Sequence, residues 1–174
     1  MEIVKINETQ VVEQLSASEY IIVVLADGSL GRIRKDKIVP NVGCYYLNTN
    51  WETKGWHRIA INRGSSSMYS SAIINIGNSY YNNAPNFACF FIGCSGYSDK
   101  ILNSIGKSGA LFSKVRVSAK AAPGENIYID VYYNNTTRNG IYIAMSSCIG
   151  LTPYAIDDSI ATVPEGYSFQ EFDL

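Results

Sequence analysis

One histidine, His57, and four cysteines, Cys44, Cys89, Cys94 and Cys148, bound the chemistry open to this chain. A catalytic triad or a His-rich metal site would have to be built around His57, which lies in GWHRIAI, a strand-like stretch beside Trp56. A half-buried structural histidine is the expected role. The cysteines lack the paired C-x2-C knuckles of zinc sites, and Cys89 and Cys94 fall in or beside the apolar run FACFFI, so core thiols are expected. IGKSG (105–109) holds the Gly-Lys-Ser of a phosphate loop, but the first glycine of that motif would fall on Ile101, and a surface turn explains the stretch better. GCSGY (93–97) misses a nucleophile elbow because Tyr97 stands where the last glycine belongs. Asp157 with Asp158 has the makings of a cation site, and Glu125 with Asp130 those of a glycosidase carboxylate pair, but nothing marks either pair. No catalytic residue, metal or cofactor is expected, and an enzyme ranks behind the binding readings below.

Tyrosine is the remaining resource, with 13 copies. Tyr80 and Tyr81, followed by Asn82 and Asn83, form an expected loop, and Tyr97 follows a glycine in another. Aromatic faces beside amides suit sugar rings, through CH contacts and hydrogen bonds to hydroxyls, although packing on a flank or a subunit contact explains them equally well. Trp51 and Trp56 are expected in the core first and at a ligand second.

These groups need elements to hold them. A chain of 174 residues allows one well-buried domain and an appendage. Its charged fraction of 17% is below the roughly 25% of ordinary soluble domains. The net charge of -1, without a basic face, argues against nucleic acid as partner. The start, MEIVKINETQ, has no signal-peptide pattern, and no apolar run approaches ~20 residues, so synthesis in a cytoplasm, no membrane insertion and reduced thiols are expected.

Residues 1–42 are expected to form an N-terminal region with a hairpin and 43–174 a β-sandwich domain, the head. In the first, Tyr20, Ile21, Ile22, Val23, Val24 and Leu25 are apolar on both faces, Ala26-Asp27-Gly28-Ser29 makes a turn, and Leu30–Ile33 returns. A strand apolar on both faces is expected to be buried on both. TQVVEQL allows one or two helical turns, RKDKI reads as a short helix, and Arg32, Arg34, Lys35 and Lys37 give a basic stub. In the head, strands are expected near 44–48, 56–62, 70–77, 87–93, 110–119, 126–133 and 141–147, with a last near 167–172. This pattern predicts a mainly β fold, an antiparallel sandwich of jelly-roll type. Ile127, Ile129 and Val131 share one face and Tyr128, Asp130 and Tyr132 the other; Leu111, Val115 and Val117 point inward, with Phe112, Lys114 and Arg116 outward. NNTTRNG (134–140) is expected to close a hairpin with positive φ at Asn139-Gly140.

SEYIIVVLADGSLGRIRKDKI (18–38) and GWHRIA resemble small fibre and spike proteins of tailed bacteriophages and related prophage genes of gut anaerobes. There a D/E-Y-strand-DG-R hairpin precedes a GWYRIA-like strand that opens a β-sandwich. The likeness covers residues 18–62, and His57 stands where that group often has Tyr. It implies a homotrimeric structural protein of the virion, a tail or head fibre subunit. The N-terminal region would dock on other virion proteins, and the outward head would contact host surface polysaccharide. Tyr20 to Leu25, Arg32 and Arg34 would then serve attachment or trimerisation, and Tyr80, Tyr81, Asn82, Asn83 and Tyr97 a ligand. A free carbohydrate-binding module is the alternative, and a capsule-depolymerising enzyme the more distant one.

Overall fold

Tyr20–Val24 (β1) and Leu30–Arg34 (β2) pair antiparallel, with Val24 opposite Leu30 and Ile22 opposite Arg32. Between them the Asp27 carboxylate accepts from the Ser29 amide and hydroxyl, and Gly28 takes φ 81°, the left-handed conformation such a turn requires. The computed structural model describes residues 20–24, 26–34, 45–62, 69–78, 85–95, 100–122, 124–154 and 158–174. Two compact units emerge, Met1–Val42 and Gly43–Leu174. In the first, Ile22 and Val24 are each 72% exposed, as is Leu30 beside them at 74%. Among the described residues nothing covers the face of the first strand that carries Ile22 and Val24, while Val23 on the other face is half-buried. Arg34 belongs to β2 rather than to a helix; TQVVEQL, Leu25, Lys35 and Lys37 lie outside the described residues.

The second unit is an antiparallel β-sandwich. One sheet has the order β3 (Tyr45–Trp51), β10 (Asn139–Ile149), β5 (Ser70–Asn78), β6 (Asn86–Cys94), β7 (Ile101–Ser108). The other runs β11 (Thr152–Pro153), β4 (Gly55–Asn62), β9 (Ile127–Tyr133), β8 (Phe112–Ala119), β12 (Ser168–Asp173). The inward rows are rich in β-branched and aromatic residues, which fit a pleated, half-buried surface. Ile74, Ile76, Phe90, Ile92, Ile141 and Ile143 from the first sheet meet Ile59, Val115, Val117, Ile127, Ile129 and Val131 from the second in one core.

Four sequence expectations change here. Phe112 is buried, not outward, because a register shift between Phe112 and Lys114 adds a residue and reverses the alternation. Residues 134–138 do not close a hairpin: β9 and β10 lie in different sheets, so this segment passes from one to the other, and neither Asn139 nor Gly140 has positive φ. IGKSG is no free surface turn either, since Ile105–Ser108 end strand β7 and only Gly109 turns, with φ 76°. A Cβ at Gly109 would run into the Asn86 side chain, whose Oδ1 accepts from the Leu111 amide. Last, Trp56 points away from the core that encloses Trp51.

After β11 the chain returns along β4, where Ala161 N–H donates to the Trp56 carbonyl at 2.7 Å and Ile160 bridges His57. It then leads to β12 at the far edge of the same sheet. The Ala161 and Thr162 carbonyls, which accept from Arg116 and Arg58, partly roof the outer side of this sheet.

Candidate functional site

The outer side of the second sheet carries the polar and aromatic partners of the inward rows. Alternation along β9 presents Tyr128, Asp130 and Tyr132 there, β4 adds Trp56 and Arg58, and β8 adds Lys114 and Arg116. Asp130, fully buried, accepts from Arg58 Nε at 3.0 Å and from Arg116 Nη2 and Nε at 2.7 and 3.2 Å. Each guanidinium then reaches the roofing segment, Arg58 to the Thr162 carbonyl and Arg116 to that of Ala161. Arg58 also lies 3.9 Å over the Tyr128 ring and Arg116 4.4 Å over Trp56. Planar, weakly hydrated guanidinium suits this double duty of ion pair and ring stacking.

Beside this cluster a groove of about 400 Å³ is lined by Trp56, Tyr132, Ser113, Lys114, Asn134 and Glu171. Trp56 and Tyr132 meet edge to face at 5.1 Å and form its aromatic floor. Lys114 and Glu171, 3.4 Å apart, supply a cation and an anion at the rim, and Asn134 is anchored through its side-chain donation to the Ala110 carbonyl. Flat rings flanked by groups that both donate and accept hydrogen bonds have the chemistry to stack on the CH face of a sugar and to bond its hydroxyls. A cleft of about 230 Å³ between Arg58, Tyr154 and residues 159–162 is less suited, because Arg58 is already committed to Asp130, Thr162 and Tyr128.

Tyr80, Tyr81, Asn82, Asn83 and Tyr97 lie outside the described residues. The groove residues differ from them. Trp56, a core candidate by sequence, lies at the groove, whereas alternation alone places Tyr132 and Lys114 on the outer face.

His57 is more deeply enclosed than half-buried, at 1% exposure. It stacks on Trp51 at 4.3 Å and meets Tyr133 edge to face at 5.7 Å. Its Nε2 lies 2.7 Å from the Thr53 carbonyl, which can only accept, so the proton sits on Nε2, and Nδ1 finds no partner among the described residues. Burial pushes its pKa below the usual 6.5, outweighing the opposing pulls of the Thr53 carbonyl and of Asp158 and Asp130. The unfolded chain therefore binds this proton more readily. Stability from this group is full above pH ~6.5 and falls as the pH drops from there toward the depressed folded value. Urea unfolding between pH 7.5 and 5 is expected to show this loss, and H57F to flatten it; an unchanged slope in the variant would assign the loss to other groups.

Of the paired carboxylates, Asp158, Glu125 and Asp130 are each held in contacts with neighbouring side chains or amides. Asp158 (φ 40°) accepts from the amides of Glu52 and Thr53, both at 2.7 Å, and from the Thr53 hydroxyl at 2.6 Å. Burial works against its ionisation, but these donors win and hold the carboxyl below its usual range. It fastens the β3–β4 turn; Asp157 lies outside the described residues. Glu125 accepts from the Tyr167 hydroxyl at 2.9 Å, which with Lys120 lowers its pKa, opposite to the need of a general acid. Asp130, its proposed mate, is enclosed by the two arginines. Of the thiols, Cys94 is buried and pushed up to about 12 by that burial, Cys89 and Cys148 are half-buried, and Cys44 is outside the described residues.

Tyr133 and Asn139 hold the corner where the chain changes sheets. Asn139 Nδ2 donates to the Tyr133 hydroxyl at 2.6 Å, that hydroxyl donates to the Thr137 carbonyl at 2.7 Å, and Asn78 Nδ2 donates to Asn139 Oδ1. These polar groups, enclosed and joined to one another, fix the crossing that places Tyr132 and Asn134 at the groove. No protein-family model, curated protein or solved structure matches this chain.

Proposed function

We propose that the sandwich is the glycan-contacting head of a phage fibre or spike subunit that assembles as a homotrimer, with the N-terminal hairpin unit on the virion side. The virion and trimer parts of this reading rest on the resemblance of residues 18–62. The glycan part rests on one observation, the Trp56–Tyr132 floor with its Ser113, Lys114, Asn134 and Glu171 rim. A free-standing carbohydrate-binding module would use the same groove without the assembly.

Binding to purified host capsule polysaccharide, followed by calorimetry or a glycan array, tests the groove. W56A and Y132A are each expected to weaken binding about tenfold or more, corresponding to ~1.4 kcal/mol lost with one aromatic contact. Undiminished binding in both variants would move the ligand elsewhere, and Y80A and Y81A in the same series would show whether the 80–83 loop carries it.

A further inference from the structure

The two sheets differ sharply in charge on their strands. β4, β8, β9 and β12 carry Arg58, Lys114, Arg116, Asp130, Glu171 and Asp173. β3, β5, β6, β7 and β10 carry a single charged residue, Lys107, and its ammonium donates to the Leu174 carbonyl, a residue whose own amide bonds to β8. The outer side of this second set is therefore a charge-free plane. Its cross-strand rows are Tyr46–Ala144–Asn75–Cys89 and Asn48–Tyr142–Gly77–Phe87, followed by Ser146–Ile73–Phe91–Asn103. Tyr46 and Phe87 are 67% and 46% exposed, and Tyr46 stacks on Tyr142 with centroids 6.3 Å apart.

We infer that copies of this chain meet through this face. Two features favour a second copy over an unrelated partner. A plane without charge meets its own image with no like-charge repulsion, whereas an acidic or basic partner would find no countercharge on it. The size also fits: five strands ~4.8 Å apart, with about seven residues at ~3.4 Å each, span roughly 24 by 24 Å. That is on the order of 600 Å² of plane, and more as accessible surface, near the ~800 Å² per partner of a stable interface. Its centre is aromatic and aliphatic with amides interspersed, the make-up of an interface core. Packing here leaves the Trp56–Tyr132 groove on the opposite sheet facing outward. A face that meets its own image pairs two copies about a two-fold axis, so this contact adds to the homotrimer proposed above rather than closing it, and it does not depend on glycan binding.

The test is the solution mass of the full chain by light scattering over a dilution series, for the unaltered protein and for N75E, at an exposed position on the central strand β5. Y46E, on the edge strand β3, serves as a second variant that disturbs the sheet less, and near-UV circular dichroism reports whether each is folded. The unaltered chain is expected at an even multiple of 19.2 kDa, and the folded variants at half that mass or dissociating at least tenfold more readily. A multiple of 19.2 kDa that both folded variants keep would overturn the inference and leave the assembly to another surface, the hairpin unit included. An unaltered chain at 19.2 kDa at every concentration would overturn the inference and the trimer together, while glycan titration of the same samples would judge the groove separately.

Discussion

Replacing Asp130 by alanine is expected to lower the free energy of unfolding by about 3–5 kcal/mol, the usual loss when one partner leaves a buried ion pair. The carboxylate is fully enclosed and shared by two guanidiniums, of which Arg116 is itself almost wholly buried. Without it, Arg58 and Arg116 are left with carbonyls and ring faces for their charges, and they repel each other across the vacated space. D130N keeps the shape but removes the charge, and it is expected to recover only part of the loss. Urea unfolding at pH 7 measures both. A loss below about 1 kcal/mol for D130A would mean that water fills the space and solvates the arginines. The same variant bears on the groove, since Arg116 stacks on Trp56: D130A is expected to weaken glycan binding even at temperatures where it stays folded.

The second large effect is expected at Trp51. This side chain has no exposed surface, lies between the two sheets, and stacks on His57 and against Tyr133. W51A is expected to cost about 3–5 kcal/mol from lost contact and the cavity left behind. W51F is expected to cost much less, because the indole N–H of Trp51 has no acceptor among the described residues and its removal frees the core of a stranded donor. Only Trp56 remains as a tryptophan in both variants, so fluorescence then reports on the groove alone while circular dichroism follows the fold. Equal losses in W51A and W51F would mean that the indole makes a contact that phenyl cannot replace.

The mainly β class and most strands were legible in the sequence because inward and outward residues alternate, as in β9, where Ile127, Ile129 and Val131 oppose Tyr128, Asp130 and Tyr132. β7 was missed. ILNSIGKS lies at an edge and buries no residue fully, so neither face imposes a pattern. Phe112 was misplaced because the irregularity in β8 breaks the parity on which alternation depends. The same limit hid the site: period two says that Trp56 and His57 face opposite ways, but not which of them faces the core. Strand partners were equally invisible. Nothing in NNTTRNG distinguishes a return within one sheet from a passage to the other, since polar turn residues serve both.

The order of the strands sets a timetable for folding as the chain leaves the ribosome. β5, β6 and β7 are consecutive neighbours and can pair as they emerge. β3 must wait for β10: Trp51 pairs with Asn139 and Tyr45 with Met145. These partners lie 88 and 100 positions apart, which at about 5–20 residues per second delays β3 by roughly 5–20 s. During that interval the β5–β6–β7 meander has bare edges and an uncharged outer side, and neighbouring nascent chains on one message present the same surface. Slower translation would lengthen this exposure and is expected to lower the yield of soluble protein without any change in the stability of the finished sandwich.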